Sequence, residues 1–332
     1  MKKSTTQNSS VNKQIIINIF ILIIGFSIGY FIRNVSLSNR NVNALRENSK
    51  EYKFINPLLL VYSDNETVSP EYKALESKII TYIDSATKTN NASNISFYFR
   101  DLNSSLWTGV NENDKYAPGS MLKVAVLLAY LKLSDKTPTA LDENYFYEPK
   151  IDGGQYFKPP TILSSGYHSV RDLIKNMIIE SDNTATITLI NKNSQAVDQV
   201  YLDLKLPIPT DISDFMSAKS YSVLWRVLYN STYLNRNLSE QSMTLLSLTT
   251  FKDGLVAGVP PTVTVAHKFG EHTNVIAGQD PERELHDCGI VYPQNKGPYF
   301  ICVMTRGNDF NKLESVISDI SKITYNHVIS NL

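Results

Sequence analysis

The sequence contains few of the residues on which several protein classes depend. Only two of its 332 residues are cysteine, too few for a disulfide-scaffolded miniprotein or a four-cysteine zinc site. The five histidines show no paired metal-ligand spacing, and neither Cys-x-x-Cys nor His-Glu-x-x-His is present. The chain also has no Gly-x-Gly-x-x-Gly and no Walker-type loop. We therefore expect no metal and no organic cofactor.

Basic and acidic residues are equal in number over the whole chain, but they are unevenly distributed along it. Lys plus Arg and Asp plus Glu both number 32, yet residues 1–40 hold five basic residues and no acid. The remainder has 27 basic against 32 acidic residues, a net charge of −5. A domain with a negative net charge is a poor nucleic-acid binder, so we expect no nucleic-acid partner. A hydrophobic content of 42% is too high for a disordered chain and fits a large folded domain.

One long apolar run lies near the N-terminus. Residues 15–32 contain no charge, approach the length that spans a bilayer and precede no Ala-x-Ala cleavage site. The basic residues before this run favour a cytoplasmic N-terminus. We expect a cytoplasmic tail (1–14), a single-pass plasma-membrane anchor (15–32), a juxtamembrane stalk (33–54) and an extracytoplasmic domain (55–332). A cleaved signal peptide is the alternative.

The hydrophobic pattern of the remaining residues predicts an α/β domain of the α+β type. The predicted elements are helix 70–87, strands 94–100 and 106–110, helices 120–133, 170–179, 184–190 and 217–233, strands 263–269, 288–292 and 299–305, and helix 313–329. Sequential strands joined by short turns pair antiparallel, and helices must cover the faces of their sheet. We expect a five-stranded antiparallel sheet flanked by helices.

Ser120 stands at the start of a predicted helix whose continuation is almost wholly apolar, so this helix is expected to be buried. Lys123 follows three residues later and lies on the same side of the helix. Burial lowers the pKa of a lysine, and a neutral amine beside a serine hydroxyl can act as its base. The pair predicts an activated nucleophile. A capping serine with a surface lysine is the alternative reading.

Two further short motifs lie downstream, and each is weak by itself. Ser181-Asp182-Asn183 falls between two predicted helices, where short polar residues also serve as caps. Lys268-Phe269-Gly270 ends a predicted strand, from which an inward lysine would put positive charge over a cleft. Similar triplets occur elsewhere, for example Ser63-Asp64-Asn65, so the information lies in the combination.

The three motifs together resemble the catalytic signature of class A β-lactamases and penicillin-binding proteins. The chain is similar to the class A β-lactamase catalytic domain from about Ile55 to Leu332, including Gly258-Val259-Pro260 and the final hairpin and helix. The resemblance implies a β-lactamase/transpeptidase-like fold and a serine hydrolase that opens β-lactam amides. It implies a β-lactam or a peptidoglycan-like acyl compound as substrate, and we expect a monomer.

The resemblance also implies the catalytic roles. Ser120 would be the acylated nucleophile and Lys123 its general base. Ser181 would relay a proton toward the leaving nitrogen. Lys268 would attract a substrate carboxylate and acidify Ser181.

Three more residues are expected to bind substrate through the same resemblance. They are Asn183, Gly270 and Glu271. Asn183 would hydrogen-bond the substrate amide, and the backbone N–H of Glu271, next to Gly270, would form the oxyanion hole together with that of Ser120. One departure from the family stands beside them. Phe269 occupies a position where the family normally carries a Thr or Ser, whose hydroxyl helps to hold the substrate carboxylate.

A second departure concerns deacylation. Class A enzymes use an omega-loop Glu to activate the deacylating water, but the next Glu after Ser181 is Glu240. The loop over residues 203–216 offers only Asp203, Asp211 and Asp214, each of which we interpret as a cap or loop brace. Two alternatives therefore stay open. One is a penicillin-binding D,D-peptidase-like cell-wall enzyme with slow deacylation, and the other is a non-catalytic cell-surface protein on the same fold.

The two cysteines lie on the two arms of the last predicted hairpin. If that hairpin is centred near Asn295, Cys288 and Cys302 fall opposite each other. A cross-strand disulfide outside the cytoplasm and two buried free thiols are both open.

Overall fold

The computed structural model describes residues 44–46, 52–61, 69–150, 155–159, 161–209, 214–275, 280–294 and 296–331. They belong to one compact unit, Ala44–Leu332. The predicted cytoplasmic tail, residues 1–14, and the predicted anchor, residues 15–32, lie outside the described residues. None of the helices in the described ranges is long and apolar enough to cross a membrane.

A five-stranded antiparallel sheet forms the centre of the domain, as the sequence predicts. In chain order the described strands are β1 (Ala44–Arg46), β2 (Leu58–Val61), β3 (Asn94–Asp101), β4 (Trp107–Val110), β5 (Lys115–Tyr116), β6 (Asn144–Tyr147), β7 (Gly166–Ser169), β8 (Met216–Ser217), β9 (Thr264–Asn274), β10 (Glu282–Tyr292) and β11 (Tyr299–Gly307). The central sheet has the order β4-β3-β11-β10-β9, so β9 lies at one edge.

The helices cover both faces of this sheet. They are α1 (Lys73–Lys88), α2 (Lys123–Lys136), α3 (Val170–Ile179), α4 (Asn183–Lys192), α5 (Ser194–Asp203), α6 (Ala218–Tyr229), α7 (Arg236–Ser247) and α8 (Phe310–Asn331). Strand β11 alternates between two cores, because Ile301 and Val303 pack with residues of α1 and α8 while Met304 packs with residues of α2 and α6. Burial on both faces explains why the middle of the strand reads as a continuous apolar run.

Some elements depart from the sequence-based expectation. Helices α5 and α7 were not predicted, because their segments are rich in Ser, Asn and Gln and have a narrow apolar stripe. Their Asn caps were the available signal, since Asn193 and Asn235 each accept a backbone N–H of the first turn. Strands β9 and β10 extend beyond the predicted ends at residues 269 and 288, through charged residues that strands usually disfavour.

The two cysteines form a disulfide bond. Cys288 and Cys302 are directly opposed in the β10–β11 pair, as the predicted hairpin requires, and both side chains are fully buried. The alternative of two free thiols is therefore wrong. The bond ties together two central strands of the sheet beside the edge strand β9.

The chain joins the folded unit before residue 55. Strand β1 pairs antiparallel with β2, and the guanidinium of Arg46 donates to the carbonyl of Asn56 and to Asn230 Oδ1. The Glu240 carboxylate accepts three successive backbone N–H groups, those of residues 53–55, at 2.9–3.1 Å. These parts of the predicted stalk, 33–54, therefore pack on the domain. Residues 53–55 are held by the carboxylate of Glu240, which is distant in the chain and which local sequence does not reveal.

Candidate active site

The predicted nucleophile and base are in direct contact. Gly119–Leu122 form one turn of 3-10 helix that leads straight into α2, so Ser120 lies at the helix entrance and Lys123 one turn further in. The Lys123 side chain is 2% exposed, and its Nζ donates to Ser120 Oγ at 2.5 Å. The surface-lysine alternative therefore does not hold, because the apolar helix encloses the amine.

The junction between α3 and α4 supplies the other acceptors of the Lys123 amine. Its Nζ lies 3.0 Å from the carbonyl oxygen and 3.3 Å from Oγ of Ser181, and 2.6 Å from Asn183 Oδ1. Ser181 has a φ of +59°, a left-handed conformation that costs a non-glycine residue about 1–2 kcal/mol. This conformation turns both the carbonyl and the hydroxyl toward the base.

Asp182 holds that junction in place, a role that the sequence did not distinguish from simple capping. Its side chain is buried and caps α4 by accepting the N–H of Ala185 at 3.0 Å. Its Oδ2 also accepts the Tyr147 hydroxyl at 2.7 Å and Asn176 Nδ2 at 2.5 Å. These hydrogen bonds compensate the burial of the carboxylate and fix the residues on either side of it.

Lys268 reaches the site from the edge strand. It is fully buried on β9, and its Nζ donates to Ser181 Oγ at 2.9 Å. Burial lowers the pKa of Lys268 well below its ordinary value, and the nearby Lys123 lowers it further. Ser181 Oγ thus lies between two lysine amines. This is the position expected of a hydroxyl that passes a proton.

Two glycines allow β9 to approach the nucleophile turn. A Cβ on Gly270 would collide with the carbonyl oxygen of Pro118, and one on Gly119 with the backbone of Glu271. Gly119 also has a φ of +52°, which favours glycine. The backbone of Glu271 therefore lies against Gly119, the residue that precedes Ser120.

The side chain of Glu271 has a separate role that the sequence did not predict. Its two carboxylate oxygens accept the backbone N–H groups of Tyr156 and Phe157, both at 3.0 Å. The neighbouring Gln155 presents its Oε1 to Nδ2 of Asn183 at 3.4 Å. A short strip of chain is thus held between Glu271 on β9 and Asn183 at the start of α4. We refer to residues 155–157 as the roof strip.

Phe269 lies beside Lys268 and packs in an aromatic cluster. Its ring stacks on Phe251 with 4.2 Å between the centroids, and Nζ of Lys268 lies 4.2 Å from the centroid of the same ring. Phe157 of the roof strip packs edge-on against the same two rings. The side chain that replaces the family's hydroxyl is therefore part of an aromatic cluster that supports the roof strip.

An open cleft of about 550 Å³ lies beside these residues. Its lining comprises Gly119, Ser120, Leu122, Lys123, Gln155, Asn183, Thr186, Ile187, Ile190, Glu271, His272, Thr273 and Val275. The predicted residues Ser120, Lys123, Asn183 and Glu271 all face this cleft. Gly270, Ser181 and Lys268 are not part of this lining, but Ser181 Oγ contacts Nζ of the lining residue Lys123 at 3.3 Å and Nζ of Lys268 at 2.9 Å.

The candidate deacylating acids are placed differently. Asp203 is exposed and accepts hydrogen bonds from Gln199 and the Tyr233 hydroxyl, which lower its pKa. Asp214 pairs with the guanidinium of Arg306. Asp211 lies outside the described residues. Both described aspartates thus act as braces, and Glu271 is the only carboxylate among the described residues that line the cleft.

The fold is that of the β-lactamase-like serine hydrolases, and the predicted nucleophile Ser120 and base Lys123 line the same cleft. A model of the beta-lactamase enzyme family, Beta-lactamase2, matches residues 74–328. The chain therefore belongs to the beta-lactamase enzyme family.

Solved structures share its fold at low sequence identity. PBP-A is 20% identical with a TM-score of 0.63, and the match covers 78% of this chain and 98% of PBP-A. The extended-spectrum β-lactamase TLA-1 is 18% identical with a TM-score of 0.67, over 78% and 100%. A β-lactamase from Chitinophaga pinensis is 18% identical with a TM-score of 0.64, over 76% and 98%. No curated protein sequence matches the chain.

The Glu271 clamp predicts a defined kinetic effect. Replacing Glu271 with Gln removes the charge that holds two N–H groups of the roof strip, so Asn183 loses its support through Gln155. Because hydrogen bonds to a charged group contribute about 1.5–3 kcal/mol, we expect the apparent affinity for an acylating substrate to fall about tenfold or more. Stopped-flow acylation kinetics would separate this affinity from the acylation rate constant.

Gln155→Ala should reproduce the affinity loss, and the double variant should be no weaker than either single variant. Glu71→Gln, on an exposed turn outside the cleft lining, is the matched control and should behave as the unmodified protein. Additive losses in the double variant would contradict the clamp.

Burial of Lys268 predicts a pH dependence of stability. Its pKa is lower in the folded than in the unfolded chain, where it is near 10.5, so the unfolded chain binds more protons between the two values. The free energy of unfolding should therefore rise with pH in that window. Urea titrations from pH 7 to about 9.5, below the ordinary titration of tyrosine, would measure this slope. Lys268→Met should flatten it, and an unchanged slope would contradict the assignment.

Proposed function

We propose that the domain is a serine hydrolase that is acylated on Ser120 by β-lactams or related acyl compounds. The observation that carries this proposal is the 2.5 Å hydrogen bond between the buried Lys123 amine and Ser120 Oγ. A serine hydroxyl gains nucleophilicity when an adjacent group can take its proton, and Ser120 Oγ is the nearest of the four described oxygens around this amine.

Acylation would proceed by one attack and one bond cleavage. Ser120 Oγ attacks the carbonyl carbon, and its proton passes to the neutral amine of Lys123. The negative charge that develops on the carbonyl oxygen is stabilised by the backbone N–H groups of Ser120 and Glu271. The carbon–nitrogen bond then breaks, and the leaving nitrogen takes a proton from Ser181 Oγ. The proton held by Lys123 returns to Ser181 across the 3.3 Å contact between them.

Substrate orientation would come from the residues around this centre. Asn183 can offer its amide group to the amide of the substrate, because Lys123 and Gln155 hold the two ends of that group. Lys268 contributes to the electrostatic potential behind Ser181. Phe269 provides no hydroxyl for a substrate carboxylate, so recognition of that group would be weaker than in the class A pattern.

Deacylation separates a β-lactamase from a penicillin-binding D,D-peptidase-like enzyme. Hydrolysis of the ester needs a base beside the attacking water. Glu271, the only carboxylate among the described lining residues, already accepts two backbone N–H groups. This favours slow deacylation and thus the penicillin-binding type. A variant of PBP-A, 20% identical with a TM-score of 0.62, was solved as an acyl-enzyme complex with penicillin G.

Intact mass spectrometry of the full chain in detergent, mixed with penicillin G, tests both parts of the proposal. We expect a Ser120-dependent adduct with the mass of the intact penicillin, which persists for many minutes. Ser120→Ala should prevent it, and Lys123→Met should slow it by at least about a hundredfold, the usual contribution of a general base. The same adduct in Ser120→Ala would contradict the nucleophile. An adduct lost within seconds would favour a β-lactamase.

We also propose that residues 15–32 anchor the domain on the outer face of the plasma membrane. The uncharged run of 18 residues and the basic residues before it support this. The chain should stay in the membrane fraction after alkaline carbonate extraction, and external protease should reach the domain in intact spheroplasts. Release of a shortened soluble protein would instead indicate a cleaved signal peptide.

A further inference from the structure

One face of α4 carries large apolar side chains beside the nucleophile. Thr186, Ile187 and Ile190 follow Asn183 by three, four and seven residues, so all four lie on the same side of the helix. Each of them lines the cleft. The Ile187 side chain is 56% exposed, although an apolar group of that size is usually covered.

The apolar surface continues beyond α4. Leu122, two residues after the nucleophile, and Val275, just after the end of β9, line the same cleft, and Val275 is 73% exposed. We refer to Leu122, Ile187, Ile190 and Val275 as the apolar wall. Ile187 and Val275 are exposed, and Leu122 and Ile190 are half-buried. Scattered exposed aliphatic residues are normal, but aliphatic side chains that share one concave surface with a nucleophile are typical of a ligand site.

The proposed acylation does not use the apolar wall. Its chemistry involves Ser120, Lys123 and Ser181, and its orientation involves Asn183 and the roof strip. Ser120 nevertheless lines the same cavity as the wall, so a substituent of an acyl group bound to its Oγ has direct access to that surface.

The charged residues of the lining do not favour a charged substituent. The Lys123 amine is engaged with Ser120, Ser181 and Asn183, and the Glu271 carboxylate holds the roof strip. The remaining described lining residues are neutral polar or apolar, apart from His272. An apolar group would release water from the wall on binding, whereas a carboxylate would lose hydration without gaining a free arginine or lysine.

We propose that the apolar wall is a specificity subsite for an uncharged, apolar substituent on the acyl part of the substrate. This rests on the proposed acylation of Ser120. Each additional methylene buried against the wall should raise the second-order acylation rate constant roughly fourfold, as its transfer from water would.

Three penicillins that differ only in the acyl side chain test the subsite: acetyl, phenylacetyl and carboxyphenylacetyl. The readout is the second-order acylation rate constant of the full chain in detergent, followed by intact mass. We expect phenylacetyl to react at least about tenfold faster than acetyl, and the added carboxylate to remove most of this gain.

Ile187→Thr keeps the branched shape of the side chain but makes the wall polar, so it should lower the phenylacetyl-to-acetyl ratio about fourfold or more. Val275→Thr, at a still more exposed position, should lower the ratio in the same direction. Leu202→Thr is the matched control, because Leu202 is also 56% exposed but lies on α5, outside the cleft lining. It should leave the ratio unchanged.

The outcomes separate this inference from the proposed function. If penicillins acylate Ser120 but the ratio is the same in the unmodified protein, Ile187→Thr and Val275→Thr, the subsite is overturned and the acylation stands. If the carboxylated side chain reacts fastest, the subsite has the opposite chemistry and the inference is also overturned. If none of the three compounds acylates Ser120, the proposed function fails and the subsite fails with it.

Discussion

The buried amine of Lys123 is the constraint on which the rest of the site depends. An amine taken out of water needs acceptors, and an unpaired one would cost several kcal/mol. Its acceptors come from two places in the chain, the turn that carries Ser120 and the junction that carries Ser181 and Asn183. The left-handed backbone at Ser181 and the buried Asp182 both serve to bring those oxygens to the amine. The hydrogen bonds that satisfy the lysine are thus the ones that place the reacting hydroxyl groups.

The edge strand closes the site from the other side. Fully buried Lys268 brings a second amine to Ser181, and its approach is sterically possible because Gly119 and Gly270 lack side chains where the two backbones meet. The same strand then supplies the backbone N–H of the proposed oxyanion hole and a carboxylate that holds the roof strip. One edge strand therefore links electrostatics, oxyanion geometry and the width of the cleft. A change in its register by one residue would disturb all three at once.

The sequence predicted much of this site, and the reasons for its gaps are physical. Ser120, Lys123, Ser181, Asn183 and Lys268 were identifiable because their three motifs together resemble those of class A β-lactamases and penicillin-binding proteins, although each motif is weak by itself. The clamp between Glu271 and the roof strip was not, since its partners lie more than a hundred residues apart and make main-chain hydrogen bonds that any residue type could make. The sequence did not predict the apolar wall either, for a related reason. In the sequence its members resemble ordinary core residues, and only the fold shows that Ile187 and Val275 are uncovered.

The same division applies to the fold. The sequence by itself determined the five antiparallel strands, the buried helix behind Ser120 and the opposed positions of Cys288 and Cys302 on one hairpin. Each of these follows from local periodicity or from a hairpin whose arms are close in the chain. Only the tertiary structure decided that part of the predicted stalk packs on the domain, that Phe269 faces an aromatic cluster, and which oxygens surround Lys123. Such contacts join distant segments, and their energies depend on burial and distance, which no local pattern encodes.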